Sequence, residues 1–218
     1  GSDGDESYYV NDEIANSFCG ILNRTISRKQ KGKVHIFSTF LYPALSASKV
    51  DLDDSAVVAA LKGTPQDLLS HRQLLIPVHA PQHWYFIQVL LPAPGRVAHI
   101  VAVDSAGGAH LTAIATVQRF LEALHAQAAS RACEVLTSRL TTGWRGVSLR
   151  RLTPQQPDLA SCGVYMLFGI WCATCGVVLE SCLRGHDASL LRDLLTLCLF
   201  SGQLPRLPCL SLRSQSVV

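Results

Sequence analysis

Two spacings of apolar residues alternate along the chain, and each predicts a different element. From Asn11, the segment NDEIANSFCGILNR places Ile14, Phe18, Ile21 and Leu22 at helical intervals behind an acidic first turn, with Asn11 as the N-cap. RKQKGK then reads as a polar loop. VHIFSTFLYPAL is apolar, stops at Pro43 and reads as strand or mixed structure, whereas the acids opening DLDDSAVVAALKG predict a short capped helix. QLLIPVHA, HWYFIQVLL and RVAHIVAVD read as strands, the last two joined by a turn at Pro92, Pro94 and Gly95. Their near-continuous apolarity predicts a hairpin at the centre of a sheet that is covered on both faces.

The helical interval returns in HLTAIATVQRFLEALHAQAA, where Ile114, Val117, Leu121 and Leu124 share a face. CEVLTSR and VSLRRL are shorter strand candidates. The run after Cys162 is almost wholly apolar and predicts a buried helix; DASLLRDLLTLCLF predicts a final amphipathic one. Helices before and after a central sheet give an α+β class in one domain, expected over residues 9–203. Residues 204–218 read as a tail. Residues 1–8 read as an acidic leader whose Gly-Ser start has the look of a cloning remnant on a longer protein.

Composition narrows the choice of partners. Of 218 residues 48% are apolar and 16% charged, so the chain can bury a large core. The net charge of +3, with one dense basic run at Arg28, Lys29, Lys31 and Lys33, gives no footing for nucleic acid, and that run reads as a solvated loop. No apolar stretch reaches the roughly 18 residues of a membrane span. Most of the eight cysteines sit in apolar, helix-like runs, where free cysteine packs as a small hydrophobe. A reducing compartment, nucleus or cytoplasm, and a monomer are the expectation.

The chemistry concentrates in PQQPDLASCGVYMLFGIWCATC, residues 154–175. Its polar half meets its apolar half at Ser161-Cys162-Gly163, which puts Cys162 at a helix N-terminus. Unpaired N–H groups and the helix dipole favour a thiolate there, and the thiolate is the nucleophile. The Cys162 N–H supplies one oxyanion donor and the Gln156 side chain a second. A base is also needed: His83 opens one strand of the hairpin and Asp104 closes the other, so pairing of the strands brings them together, with the carboxylate orienting the imidazole.

These residues carry a family resemblance. QQPDLASCGVYM resembles the Gln-x-Asn-x-x-Asp-Cys-Gly segment of the Ulp/SENP cysteine proteases, and its spacing selects Gln156 over Gln155. IPVHAPQHWYFIQV is similar to their Ile-Pro…His-Trp strand, and VDSAGG to their Asp-Ser-x-Gly-Gly. YVNDEIANSF is similar to their Trp-Leu-Asn-Asp motif, and STFLYPAL to their Thr-Phe-Phe-Tyr segment. The resemblance implies a papain-like α+β fold and cleavage after the C-terminal Gly-Gly of a ubiquitin-like protein, usually SUMO, from precursors or lysine-linked conjugates. It implies His83 as base, Asp104 as its orienter, Cys162 as nucleophile and Gln156 as oxyanion donor. Trp84, Tyr9 and Asp12 become substrate-binding residues, Trp84 roofing a narrow channel for the glycines. It calls for no metal or cofactor. Three positions depart from the pattern: Ser161 replaces an aspartate and is expected to cap the helix, Asp158 replaces an asparagine, and Tyr9 replaces a tryptophan.

Several rival readings remain beside it: a deconjugase for ubiquitin or another modifier, a bacterial effector of the same fold acting in a host cell as deubiquitinase or acetyltransferase, and a silent module that binds the modifier only. Three weaker echoes get bland readings. Trp171-Cys172-Ala-Thr-Cys175 resembles a redox motif but lies deep in an apolar helix, so its thiols read as core. Cys182 and His186 could extend it into a zinc set only at unusual spacing. Ser105 in VDSAGG echoes a serine nucleophile without a supporting second motif.

Overall fold

The computed structural model describes residues 9–29, 33–91, 97–130, 144–148, 155–156, 158–177 and 188–205. In chain order the elements are α1 (Asp12–Lys29), β1 (Val34–Ile36), α2 (Leu41–Ala47), α3 (Ser55–Leu61), α4 (Pro65–Ser70), β2 (Gln73–Ala80), β3 (His83–Leu90), β4 (Ala98–Val103), α5 (Leu111–Ser130), β5 (Trp144–Ser148), α6 (Cys162–Thr174) and α7 (Ala188–Ser201). The five strands form one mixed sheet in the order β1-β2-β3-β4-β5. The β2-β3 and β3-β4 pairs are antiparallel, and the outer pairs β1-β2 and β4-β5 are parallel.

Side-chain alternation divides the core in two, because successive residues of a strand point to opposite faces. Leu75, Trp84, Phe86, Val101 and Val103 face one cluster, which α1, α6 and α7 complete. Leu74, Ile76, Tyr85, Ile87, Ile100 and Ala102 face the other, completed by α2 to α5. Both faces are therefore covered, as the apolar strands predict. Burial of the whole of α6 follows: its thirteen residues, Cys162 to Thr174, are all buried.

Several local expectations hold for visible reasons. Asn11 accepts the N–H of Ile14 at 2.9 Å, capping α1. Asp54 caps α3 by accepting from Ala56 and Val57. Others are corrected. α1 runs on to Lys29 and so takes in Arg28 and Lys29 of the expected polar loop. Pro43 does not end its segment but sits in the first turn of α2, where its missing N–H costs nothing. α4 was not expected, although Thr64 accepts from Asp67 N–H and Pro65 opens the helix. Val147 and Ser148 of VSLRRL lie in β5; the rest of that segment, the turn at Pro92 to Gly95, CEVLTSR, Cys182 and His186 lie outside the described residues. No described helix is long and apolar enough to cross a membrane.

Candidate active site

The β2-β3 hairpin positions the histidine. Ala80 pairs with His83, so the connection is Pro81 and Gln82 alone, with Gln82 at φ +59°. His83 thus sits at the first position of β3. Phe86 pairs with Val103 on β4, which carries Asp104 to the same end of the sheet. There His83 Nε2 donates to Asp104 Oδ1 at 2.7 Å. With Nε2 engaged, Nδ1 is the ring nitrogen left for the Cys162 thiol, to which His83 is also hydrogen-bonded.

Asp104 is only 4% exposed, yet it is held in the charged form. Burial opposes ionisation, but His110, His83 and the N–H groups of Ala106 and Gly108 together hold the carboxyl far below its ordinary range. His110 Nε2 and Gly108 N each reach Oδ2 at 2.7 Å, and Ala106 N reaches Oδ1 at 2.8 Å. The His83 imidazole is raised to about 9, by its hydrogen bond to Asp104 first and that to Cys162 second, against the effect of burial.

Cys162 is the first residue of α6, 2% exposed. Burial alone would push its thiol up. The hydrogen bond with His83, the Trp84 N–H, the His83 charge and the Gly163 N–H outweigh it, so the thiol is more acidic than usual. Ser161 does not cap the helix, contrary to expectation: its hydroxyl donates to Asp158 Oδ2 at 2.7 Å. Asp158 also accepts from the N–H groups of Ala160 and Ser161, so the carboxylate at 158 fixes the turn that delivers the cysteine. Arg192 of α7 braces that turn, reaching Ser161 Oγ at 3.2 Å.

Gln156 is clamped to the residue after Asp104. Its backbone N–H donates to Ser105 O at 3.1 Å, and Ser105 Oγ donates to Gln156 Oε1 at 2.6 Å. Fixing Oε1 fixes the amide the right way round. One N–H of Nε2 goes to Asp158 O at 2.5 Å, and the second has no partner among the described residues. Ser105, buried and bonded in this way, serves as a clamp.

The expected substrate-binding residues come together beside the nucleophile. The Trp84 indole donates to Val10 O at 2.8 Å, and His79 stacks on it at 4.0 Å between ring centres. Asp12 lies 3.5 Å from His79 Nδ1. Trp84 is buried beside α6 at 4% exposure, while Tyr9 is 50% exposed. Gly163 makes the close approach possible: a Cβ there would lie 2.6 Å from Val10 Cβ. His79, His110 and the clamping role of Ser105 are not read from the sequence. His79 had a signal, since a two-residue hairpin loop at Pro81-Gln82 pairs position 79 with Trp84.

This arrangement brings a thiol, an imidazole and a carboxylate together at the end of a mixed sheet, the set of groups that nucleophilic thiol chemistry needs. The chain belongs to the Ulp1 protease family, matching its C-terminal catalytic domain over residues 8–196. It is 28% identical over 82 residues to sentrin-specific protease 2 of Homo sapiens, covering 38% of this chain and 13% of that protein. It is 25% identical over 181 residues to probable ubiquitin-like-specific protease 2B of Arabidopsis thaliana, covering 73% and 19%. The chain thus spans a fifth or less of the length of these relatives. The fold is similar to the X-ray structure of the C-terminal Ulp1 protease domain in complex with Smt3, the yeast ortholog of SUMO: TM-score 0.60, 17% identity, covering 89% of this chain and 77% of that one. It is also similar to Xanthomonas XopD, with TM-score 0.51 and 17% identity over 86% of this chain and 99% of that one.

Proposed function

We propose that the protein is a thiol protease and isopeptidase that cleaves after the C-terminal Gly-Gly of a ubiquitin-like modifier, SUMO above others. The carrying observation is the His83–Asp104 hydrogen bond at 2.7 Å, with the acidified Cys162 on the other side of the imidazole. Family membership and the Smt3 complex of the related Ulp1 domain support the choice of modifier.

In this reading His83 takes the Cys162 proton and the thiolate attacks the carbonyl carbon of the last glycine. The oxyanion lies between the Cys162 N–H and the second N–H of Gln156. Collapse expels the lysine or α-amine, which takes the proton from His83, and leaves a thioester. Water then attacks, giving its proton to His83, and the glycine carboxylate departs as the thiol is restored. Asp104 keeps the imidazole oriented throughout. The exposed Tyr9, with Asp12 and His79 beside Trp84, bounds the approach of the modifier's tail. The site works without metal or cofactor, as a monomer, with no nucleic-acid or membrane partner, in a reducing nuclear or cytoplasmic setting.

Modifiers bearing a C-terminal electrophile provide the test. SUMO probes should attach to Cys162 and ubiquitin probes should not. Labelling by ubiquitin alone overturns the SUMO assignment, and labelling by none, together with failure to cleave any Gly-Gly fusion, leaves a binding module.

A further inference from the structure

Asp104 serves two histidines, and the mechanism above uses only one. His110 Nε2 lies 2.7 Å from Asp104 Oδ2, while His83 Nε2 lies 2.7 Å from Oδ1, so each carboxylate oxygen has its own imidazole. The two rings are nearly parallel, 11° apart with centres 6.3 Å apart.

The protein holds His110 there against a conformational cost. Its φ is +49°, a left-handed backbone that disfavours most side chains. The ring lies flat on Tyr85, 3.6 Å between centres and 15° between planes. Gly108 makes room for it: a Cβ at 108 would fall 2.3 Å from His110 Nε2 and 2.6 Å from Asp104 Oδ2. The loop from Asp104 to His110 therefore wraps the carboxylate with backbone donors at 106 and 108 and closes on it with a second ring. Backbone strain held by such surroundings is a mark of a functional site.

We propose that His110 is a positioning residue for the proposed thiol-protease reaction: its Nε2–H fixes Asp104 Oδ2, so that Oδ1 stays aimed at His83. Oδ2 also accepts from the Gly108 N–H, so His110 supplies the second of two donors on that oxygen and opposes rotation about χ2, which would swing the charge away from the base. Tied at both oxygens, it keeps His83 Nε2 as the donor and Nδ1 towards Cys162. His110 touches neither the thiol nor the scissile bond, so it acts only through Asp104. The inference rests on the thiol-protease reading for its kinetic consequence, but not for the geometry of the dyad.

Two substitutions separate the donor from the stack. His110→Phe keeps a ring on Tyr85 and removes the N–H. His110→Gln loses the ring and places an amide N–H near the position of Nε2. Three measurements apply to each: turnover of a SUMO Gly-Gly fusion, the pH profile of Cys162 alkylation by iodoacetamide, and the proton NMR signals of the imidazole N–H groups bonded to Asp104. His110→Phe should lower kcat about tenfold or more with KM nearly unchanged, a loss typical of removing a residue that orients a site ligand. It should also change the alkylation profile, and it should erase one of two downfield N–H signals while shifting the other. His110→Gln should recover most of kcat even where it melts lower. A His110→Phe protein with wild-type kcat and an unchanged alkylation profile overturns the proposal. So does an equal loss in both variants that follows their melting temperatures. Because alkylation and NMR need no substrate, they read the dyad even if wild type cleaves no fusion, an outcome that would instead sink the protease reading.

Discussion

Cys162 and Cys172 stand on the same helix and are both buried, yet their chemistry is opposite. The thiol of Cys162 is more acidic than usual, and that of Cys172 is pushed up to about 12 by burial. Cys19, facing the same core from α1, is likewise pushed up to about 12. Burial is common to all three. The difference is that Cys162, in the first turn of α6, meets the His83 imidazole and the N–H groups of Trp84 and Gly163, whereas at Cys172 burial dominates and the neighbouring Cys175 adds to it. A reactive cysteine is thus a property of a place. The redox-like spacing of Cys172 and Cys175 makes no reactive pair where the helix buries its first member.

The largest test of this contrast is exchange of the proposed nucleophile. Cys162→Ala should reduce turnover on the order of 10⁶-fold while leaving the fold intact. In the same variant the NMR titration of His83 should move down from about 9 while staying above an ordinary histidine, since the Asp104 hydrogen bond, the larger cause, survives. Next, Gln156→Ala should lower kcat by about 10²–10³ with thiol alkylation intact, because it removes an oxyanion donor and leaves the nucleophile alone. Wild-type pH dependence sharpens the point further. A raised imidazole is protonated below its shifted value, so kcat/KM should fall as pH rises through about 9, where His83 can no longer hand a proton to the leaving amine. At neutral pH iodoacetamide should label Cys162 and spare Cys19 and Cys172, as peptide mass mapping would show. Smallest of all, Cys172→Ala should keep full activity and cost about 1 kcal/mol of stability in urea unfolding, the price of a small cavity.

Much of this was legible beforehand because it is local or follows from pairing. A helix N-terminus at Cys162 follows from the abrupt polar-to-apolar switch, and the meeting of His83 with Asp104 follows from a hairpin whose strands are unmistakably apolar. What sequence did not show depends on space. His110 reaches Asp104 only because its backbone turns left-handed and Tyr85, on a neighbouring strand, offers a flat surface. Ser105 and Gln156 are 51 positions apart, and nothing in their spacing announces the clamp. The cap expected of Ser161 fails for a similar reason: the carboxylate of Asp158, three residues earlier, competes for the hydroxyl and wins.

The total burial of α6 has a consequence for the birth of the enzyme. A peptide so greasy cannot stand alone in water, and as it leaves the ribosome it needs a slot already built. The order of the chain provides one, since α1 and the central strands are synthesised before it. A circular permutant beginning just ahead of Asp158 would release the nucleophile's helix first, with nothing yet made to receive it, and should form inclusion bodies where the natural order yields folded protein.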